Sequence, residues 1–395
     1  MVRPVTGDVM SEAVLPPIGM LAELTHRCPL QCAYCSNPLE LLKANREMAT
    51  QDWLSLFDQA ADLGVLQIHL SGGEPTLRPD LETLVHRLSD RGIYTNLITA
   101  GVGIREGRID DLAKAGLDHV QISFQGAVAA TTEKIGNYRD AHFKKIETAK
   151  NVRASGLPLT INAPIHRHNI DEIPAFIDLA LELDAERLEI ANVQYAGWAL
   201  LNRNTLMPDR AAVEHQVNVV REAQERLHGI LAIDFVTPDY FAVYPKPCMG
   251  GWARDAFMVA PDGTVLPCHA AGTIPGLVFD RFGEKSLADI WHDSTAFNAF
   301  RGTDWMAEPC RSCDRKEIDW GGCRCQAMAI AGNAAATDPA CIKSPLHARM
   351  AALIEEATTS GGAAFHYRRI GSGMTNLAPD STEAVPQLVP PSWPH

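Results

Sequence analysis

Short apolar runs alternate with helix-patterned stretches along the first half of the chain, and this rhythm restricts the fold more than any other feature. The runs fall at 18–24, 65–70, 93–98, 119–124, 157–163 and 187–193. Between them apolar residues recur at helical spacing. Leu54, Phe57 and Ala61 follow Thr50, a candidate cap, and stop at Gly64; further helices are predicted over 80–90, 109–115, 143–154 and 170–183. Units repeating at roughly 30 residues predict an α/β fold with a parallel sheet. Right-handed crossovers then allow a barrel or a doubly wound sheet, and the pattern alone leaves that closure open. Residues 209–228 form one more amphipathic helix, with Ala212, Val213, Val217, Val220 and Ala223 on one side.

Past residue 230 the texture changes to short apolar pieces, prolines, glycines and cysteines. Residues 257–259 and 264–266 flank Pro261-Asp262-Gly263, which predicts a hairpin. Ser286 and Asp289 predict a capping box for a helix through Trp291. The expected division is a flexible lead-in (1–17), a core (18–230), a bridging and cysteine-rich segment (231–365) and a disordered tail (366–395) punctuated by glycine and proline. At 395 residues, 46% hydrophobic, the chain is long enough for such a division.

The cysteines carry the chemistry. Cys28, Cys32 and Cys35 stand on one stretch, so a single loop can aim three thiolates at one centre. A structural zinc site wants four closed ligands. A cubane cluster held by three thiolates instead leaves one iron open to a ligand, and Tyr34 could lay its ring beside that ligand. A zinc knuckle with a remote fourth ligand and a set of unreactive buried thiols are the plainer alternatives. After the second run comes Ser71-Gly72-Gly73-Glu74-Pro75, where paired glycines permit close backbone approach and Glu74 offers an acceptor for an ammonium group. Asn96, Ser123, Gln125, Asn162 and Gln194 sit at or beyond later run ends, where α/β folds bind ligands. The remaining seven of the ten cysteines lie between Cys248 and Cys341. In a cytoplasmic chain such usage favours metal over disulfides.

Cytoplasm is the expected compartment, because no apolar run reaches the roughly 18 residues of a membrane span and residues 1–17 lack a signal-peptide pattern. A formal charge of −13 gives no electrostatic reason to bind nucleic acid or an anionic membrane. Partners are expected among proteins, peptides and small molecules.

The CxxxCxYC loop after a first strand, followed one unit later by the GGE turn, resembles the radical S-adenosylmethionine (SAM) enzymes. That resemblance implies a partial six-unit (β/α) barrel, a 4Fe–4S cluster on Cys28, Cys32 and Cys35, and SAM chelating its open iron. It further implies contacts to SAM from Tyr34, the Gly72-Gly73-Glu74 turn and the hydroxyl of Ser123, with Gln125 departing from the family's usual acidic residue. Arg139 is the basic residue the resemblance offers to the SAM carboxylate. Cys248, Gly263 and Cys268, then Cys310-x-x-Cys313, then Cys323, Cys325 and Cys341, resemble the SPASM extension of peptide-modifying members. Two four-ligand clusters need eight groups and the segment has seven thiols, so Asp319 is the natural eighth. Carried over from the SPASM pattern, auxiliary cluster I takes Cys248, Cys268, Cys323 and Cys325, and its spacing accommodates a 2Fe–2S cluster. Auxiliary cluster II, a 4Fe–4S cluster, takes Cys310, Cys313, Asp319 and Cys341.

Across nearly its whole length, through CPLQCAYCSNPLEL, LSGGEP and CRSCDRKEIDWGGCRC, the chain resembles the PqqE family of pyrroloquinoline quinone (PQQ) biosynthesis. The resemblance implies an oxidoreductase that joins a glutamate side-chain carbon to a tyrosine ring carbon in the precursor peptide PqqA. It also implies two protein partners, the chaperone PqqD and an electron donor such as a flavodoxin-type protein. Another SPASM peptide maturase, forming a thioether or oxidising a residue, is the alternative. A zinc-stapled binding module without catalysis is the remaining one.

Overall fold

The computed structural model describes residues 14–359 and 364–369. The part of the expected lead-in before residue 14 lies outside the described residues. Of the tail expected to be disordered from residue 366, residues 366–369 are described, and His366, Tyr367 and Arg368 are hydrogen-bonded to the first half; the rest lies outside the described residues. The first half alternates as the apolar rhythm requires: β1 (Gly19–Glu23), α1 (Thr50–Leu63), β2 (Gln67–Ser71), α2 (Leu81–Asp90), β3 (Tyr94–Thr99), α3 (Arg108–Lys114) and β4 (His119–Ser123). It continues with α4 (Ala129–Gly136), α5 (Ala141–Ala154), β5 (Leu159–Ile165), α6 (Ile173–Glu182) and β6 (Arg187–Asn192). Then come α7 (Gly197–Leu201), α8 (Arg203–Leu206), α9 (Arg210–Arg226) and β7 (Ala232–Val236). The cysteine-rich half holds β8 (Ala256–Val259), β9 (Val265–Leu266), α10 (Leu287–Asp293), α11 (Thr295–Asn298), α12 (Lys316–Asp319), α13 (Arg324–Ala331) and α14 (His347–Thr359).

The sheet order is β7-β6-β5-β4-β3-β2-β1-β8-β9. From β1 to β7 each strand pairs parallel with the one before it. A doubly wound sheet reverses its order at a switch point; from β1 to β7 the order never reverses, so the winding is the singly wound kind that curls into a partial barrel. Two additions extend the six expected strands. β7 continues the parallel run, and β8 returns from the cysteine-rich half to pair with the other edge of β1, Gly19 opposite Ala256. An exposed edge invites mispairing, and this return covers it. The sheet therefore spans the division expected at residue 230.

Local chemistry explains most boundaries. Gly64 ends α1 at φ 105, as expected. Thr50 is not the cap of α1; Ala49 holds that position, and the Thr50 hydroxyl instead donates to Asp80 at the head of α2, 2.6 Å away. Ser286 caps α10 by accepting from the Asp289 amide, and Asp209 caps α9 likewise through Ala212. α4 escapes sequence reading because its alanines and threonines carry no apolar period. Trp53 and Phe57 of α1 and Trp291 of α10 are fully buried. The Trp291 indole donates to the Leu15 carbonyl and packs 5.8 Å from Phe257 of β8, tying the two halves into one core. Parallel winding puts every strand C-terminus on one rim, and the cysteine loop leaves from it.

Candidate metal centres at the barrel mouth

The loop after β1 is held by the turn after β2. Gly73 N–H donates to the Thr25 carbonyl at 2.6 Å and Glu74 N–H to the Arg27 carbonyl at 2.7 Å. A Cβ on Gly72 would stand 2.4 Å from the Thr25 oxygen, and one on Gly73 2.3 Å from the Arg27 oxygen. Both glycines are thus demanded by the approach of one loop to another. His26 accepts from the Leu42 amide through Nδ1, and Trp198 N–H donates to the Cys35 carbonyl. Thus braced, Cys28, Cys32 and Cys35 stand half-buried on one turn. Burial pushes all three thiols up, Cys32 to about 12. A bound metal deprotonates a thiol outright, so loading this loop releases protons.

Several expected SAM contacts are placed differently by the structure. Glu74 is fully buried, and its carboxylate already accepts from Thr76 N–H and Oγ1, Thr99 Oγ1 and Ala100 N–H. Its side chain locks the turn to the end of β3 and is not a free ammonium acceptor. Asn96 is mid-strand, bonded to His69 and Gln121. Asn162 donates to Glu189, which also accepts from Gln121. These side chains form a polar belt across β2–β6, deeper than the rim. Ser123 ends β4 and reaches Asn162 only at 3.5 Å. Gln125 donates to the Tyr34 hydroxyl at 2.9 Å, so Tyr34 is anchored by its oxygen. Its ring lies 5.9 Å from that of His166, whose Nε2 is buried without a partner. Gln194 is exposed, on the wall of a cavity described below.

Arg139 is 92% exposed and meets only Asp140, so it is turned to solvent. Two other cations take the interior. Lys145 is fully buried on α5, donating to the carbonyls of Ala100 and Ser123; burial draws it down to about 8, against the pull of Cys32 and Glu74. Its signal was available, since Ala141, Lys145, Ala149 and Val152 share one helical face. The second is Arg368, from the far end of the chain, which donates to the His26 carbonyl. No local pattern marks it. Beside the loop, burial works to raise Glu23, but His269, His26 and Arg368 outweigh it and hold that carboxyl low.

The cysteine-rich half gathers its thiols in two places. Cys268 and Cys325 lie 3.6 Å apart, and Cys248 and Cys323 contact each other and this pair. Asp338, missed by sequence reading, is buried beneath them and accepts from Cys323 N–H, Ala340 N–H and Gln326. Cys310, Cys313, Asp319 and Cys341 line a second recess with Lys343. Asp319 is buried, accepting from Gly321 N–H at 3.1 Å and facing Arg315 at 3.4 Å. Among the described residues no three His, Cys, Asp or Glu side chains converge as for a single ion.

This arrangement defines a class. Residues 22–180 match the Radical SAM superfamily and residues 248–314 match SPASM, an iron–sulfur cluster-binding domain. The chain is a radical SAM enzyme with an iron–sulfur-binding second part, and SAM and iron–sulfur clusters are its cofactors. It is 56% identical over 369 residues to the PqqA peptide cyclase of Methylobacterium sp. (strain 4-46), covering 93% of this chain and 97% of the relative. The PqqA peptide cyclase of Ruegeria pomeroyi is 55% identical, covering 93% and 99%. The chain belongs to the PqqA peptide cyclase family. Streptococcus suis SuiB bound to SAM shares the fold at a TM-score of 0.67 and 21% identity, over 84% of this chain and 77% of that one. So does anSMEcpe with bound AdoMet and Cp18Cys peptide, at 0.62 and 16%, over 87% and 97%. No helix among the described residues is long and apolar enough to cross a membrane.

Proposed function

We propose that the chain forms a carbon–carbon bond between a glutamate and a tyrosine side chain of the precursor peptide PqqA, presented by PqqD, in the cytoplasm. The observation that carries the reading is the braced turn of Cys28, Cys32 and Cys35 at the rim of a parallel barrel, in a chain more than half identical to PqqA peptide cyclases. Three thiols fit a cubane with one open iron. Bound there, the cluster and SAM supply a one-electron cleavage whose product abstracts a hydrogen atom from the glutamate γ-carbon. The protein's part is to fix distance and orientation before the electron moves and to exclude water.

A cavity of about 470 Å³ lies between the rim after β6 and α13, lined among others by Gln194, Tyr195, Lys246, Cys323, Cys325 and Arg349. It suits a stretch of peptide held between the barrel and the first auxiliary thiols. Ring attack leaves one proton and one electron to be removed, and an auxiliary cluster beside the cavity is a fitting acceptor. Two thiolates on one tetrahedral iron stand about 3.7 Å apart, from a metal–sulfur bond of about 2.3 Å. The 3.6 Å separation of Cys268 and Cys325 fits two thiolates on one iron, and Cys248, Cys268, Cys323 and Cys325 would together hold a 2Fe–2S cluster. Cys310, Cys313, Asp319 and Cys341 would hold a 4Fe–4S cluster with one harder oxygen ligand, and a flavodoxin-type protein would supply electrons. Anaerobic incubation with SAM, reductant, PqqA and PqqD tests the reading. Peptide that loses two hydrogens, with its glutamate and tyrosine joined in the fragment spectrum, is expected; unchanged peptide alongside active SAM cleavage overturns it.

A further inference from the structure

Residues 364–369 lie back across the barrel mouth. Phe365 packs edge-on to His168 at 5.2 Å and under Lys134, and the Tyr367 hydroxyl donates to the Lys134 carbonyl at 2.8 Å. Asn202 is the knot: its Nδ2 donates to the carbonyls of Ala33 in the cysteine loop and His366, and its Oδ1 accepts from His366 N–H. So fastened, the segment delivers Arg368, which is 3% exposed. Its amide donates to the Gln31 carbonyl at 3.3 Å, and its guanidinium donates to the His26 carbonyl and lies beside the Cys35 thiol. Its Nε is buried without a partner. Its hydrogen-bond partner is a carbonyl rather than a carboxylate, and the nearby Glu23 carboxylate that feels its charge is shared with His26 and His269.

We propose that Arg368 is a positioning residue of the cluster loop, a cation carried in by the 364–369 segment to brace Cys28–Cys35 and offset their negative charge when they hold iron. This rests on the reading that those thiols bind the cluster. Adding an electron to a thiolate-ligated cluster increases its negative charge, so a fixed nearby cation favours the reduced state. The segment thereby links cluster reducibility to the docking of the chain's far end.

The test is an EPR-monitored redox titration of the signal that SAM perturbs, in full-length protein reconstituted anaerobically. Arg368→Gln is expected to move that midpoint to lower potential and Arg368→Lys to stay near the parent, while the auxiliary signals keep their midpoints in both. A chain ending at residue 363 is expected to reproduce the Arg368→Gln shift, and intact auxiliary signals report that it has folded. An unchanged midpoint and iron content in Arg368→Gln overturns the proposal, as does an equal shift in Arg368→Lys. Parent protein with no SAM-perturbed signal would overturn the underlying reading instead.

Discussion

The two cysteine regions solve the same problem in opposite ways. Three thiols of the first lie within eight residues on one loop, and the barrel only has to hold that loop still. The first auxiliary set unites Cys268 and Cys325, which are 57 residues apart, and depends on the eight-residue helix α13 and on its buried arginine, Arg324, bonded to the Ala334 and Ala336 carbonyls. Local spacing builds one site; tertiary packing builds the other. The first should therefore fail through its ligands and the loop beneath them, the second through its scaffold.

Replacing Cys28, Cys32 and Cys35 together by alanine gives the largest expected effect. Deoxyadenosine formation from SAM, followed by chromatography, should fall to background while the auxiliary iron is retained, and loss of all iron would break the claim that the regions assemble independently. Next, Cys268→Ala should remove about two irons per chain by iron and sulfide analysis, the content of a 2Fe–2S cluster; a loss of about four would reassign that site. Smaller in consequence but sharper about the loop, Gly73→Ala should cost about 3 kcal/mol in unfolding experiments, since its Cβ meets the Arg27 carbonyl backbone rather than a yielding side chain. A variant as stable as the parent would show that the two loops are not packed as described.

The smallest effect at neutral pH belongs to a group whose consequence appears only in acid. Burial holds His166 near 3, far below its ordinary 6.5. The unfolded chain takes up this proton below about pH 6.5 and the folded chain refuses it until near 3. The contribution is complete above 6.5 and is lost at up to about 1.4 kcal/mol per pH unit as pH falls through that window. His166→Gln should flatten the acid limb of a stability-versus-pH curve, and an unaltered limb would place the sensitivity in other groups.

Much of the barrel was legible because parallel buried strands read as apolar runs, and the six expected runs coincide with β1–β6 to within a few residues. The hairpin of β8 and β9 was legible too, from the turn at residues 261–263, but β7 was not, nor was the pairing of β8 with β1, since a strand that completes an existing sheet needs little pattern of its own. Among site residues, the rim positions of Ser123 and Gln125 followed from strand ends, whereas Asn96, Asn162 and Glu74 turned inward to bond with neighbours from other strands. Arg139 misled because a charge close in sequence need not face inward, while Lys145 was overlooked inside an apolar stripe.

By itself the sequence determined that three thiols would share one turn, that glycines would follow the next strand, and that the sheet would be parallel, for each is written in spacing over a few residues. The tertiary structure alone decided which distant cysteines meet as a pair, which carboxylates are consumed in bracing loops, and that a cation from residue 368 stands beside a thiol at residue 35. Those outcomes depend on packing between segments from 25 to 342 residues apart, where burial and charge balance choose the partner and local spacing is silent.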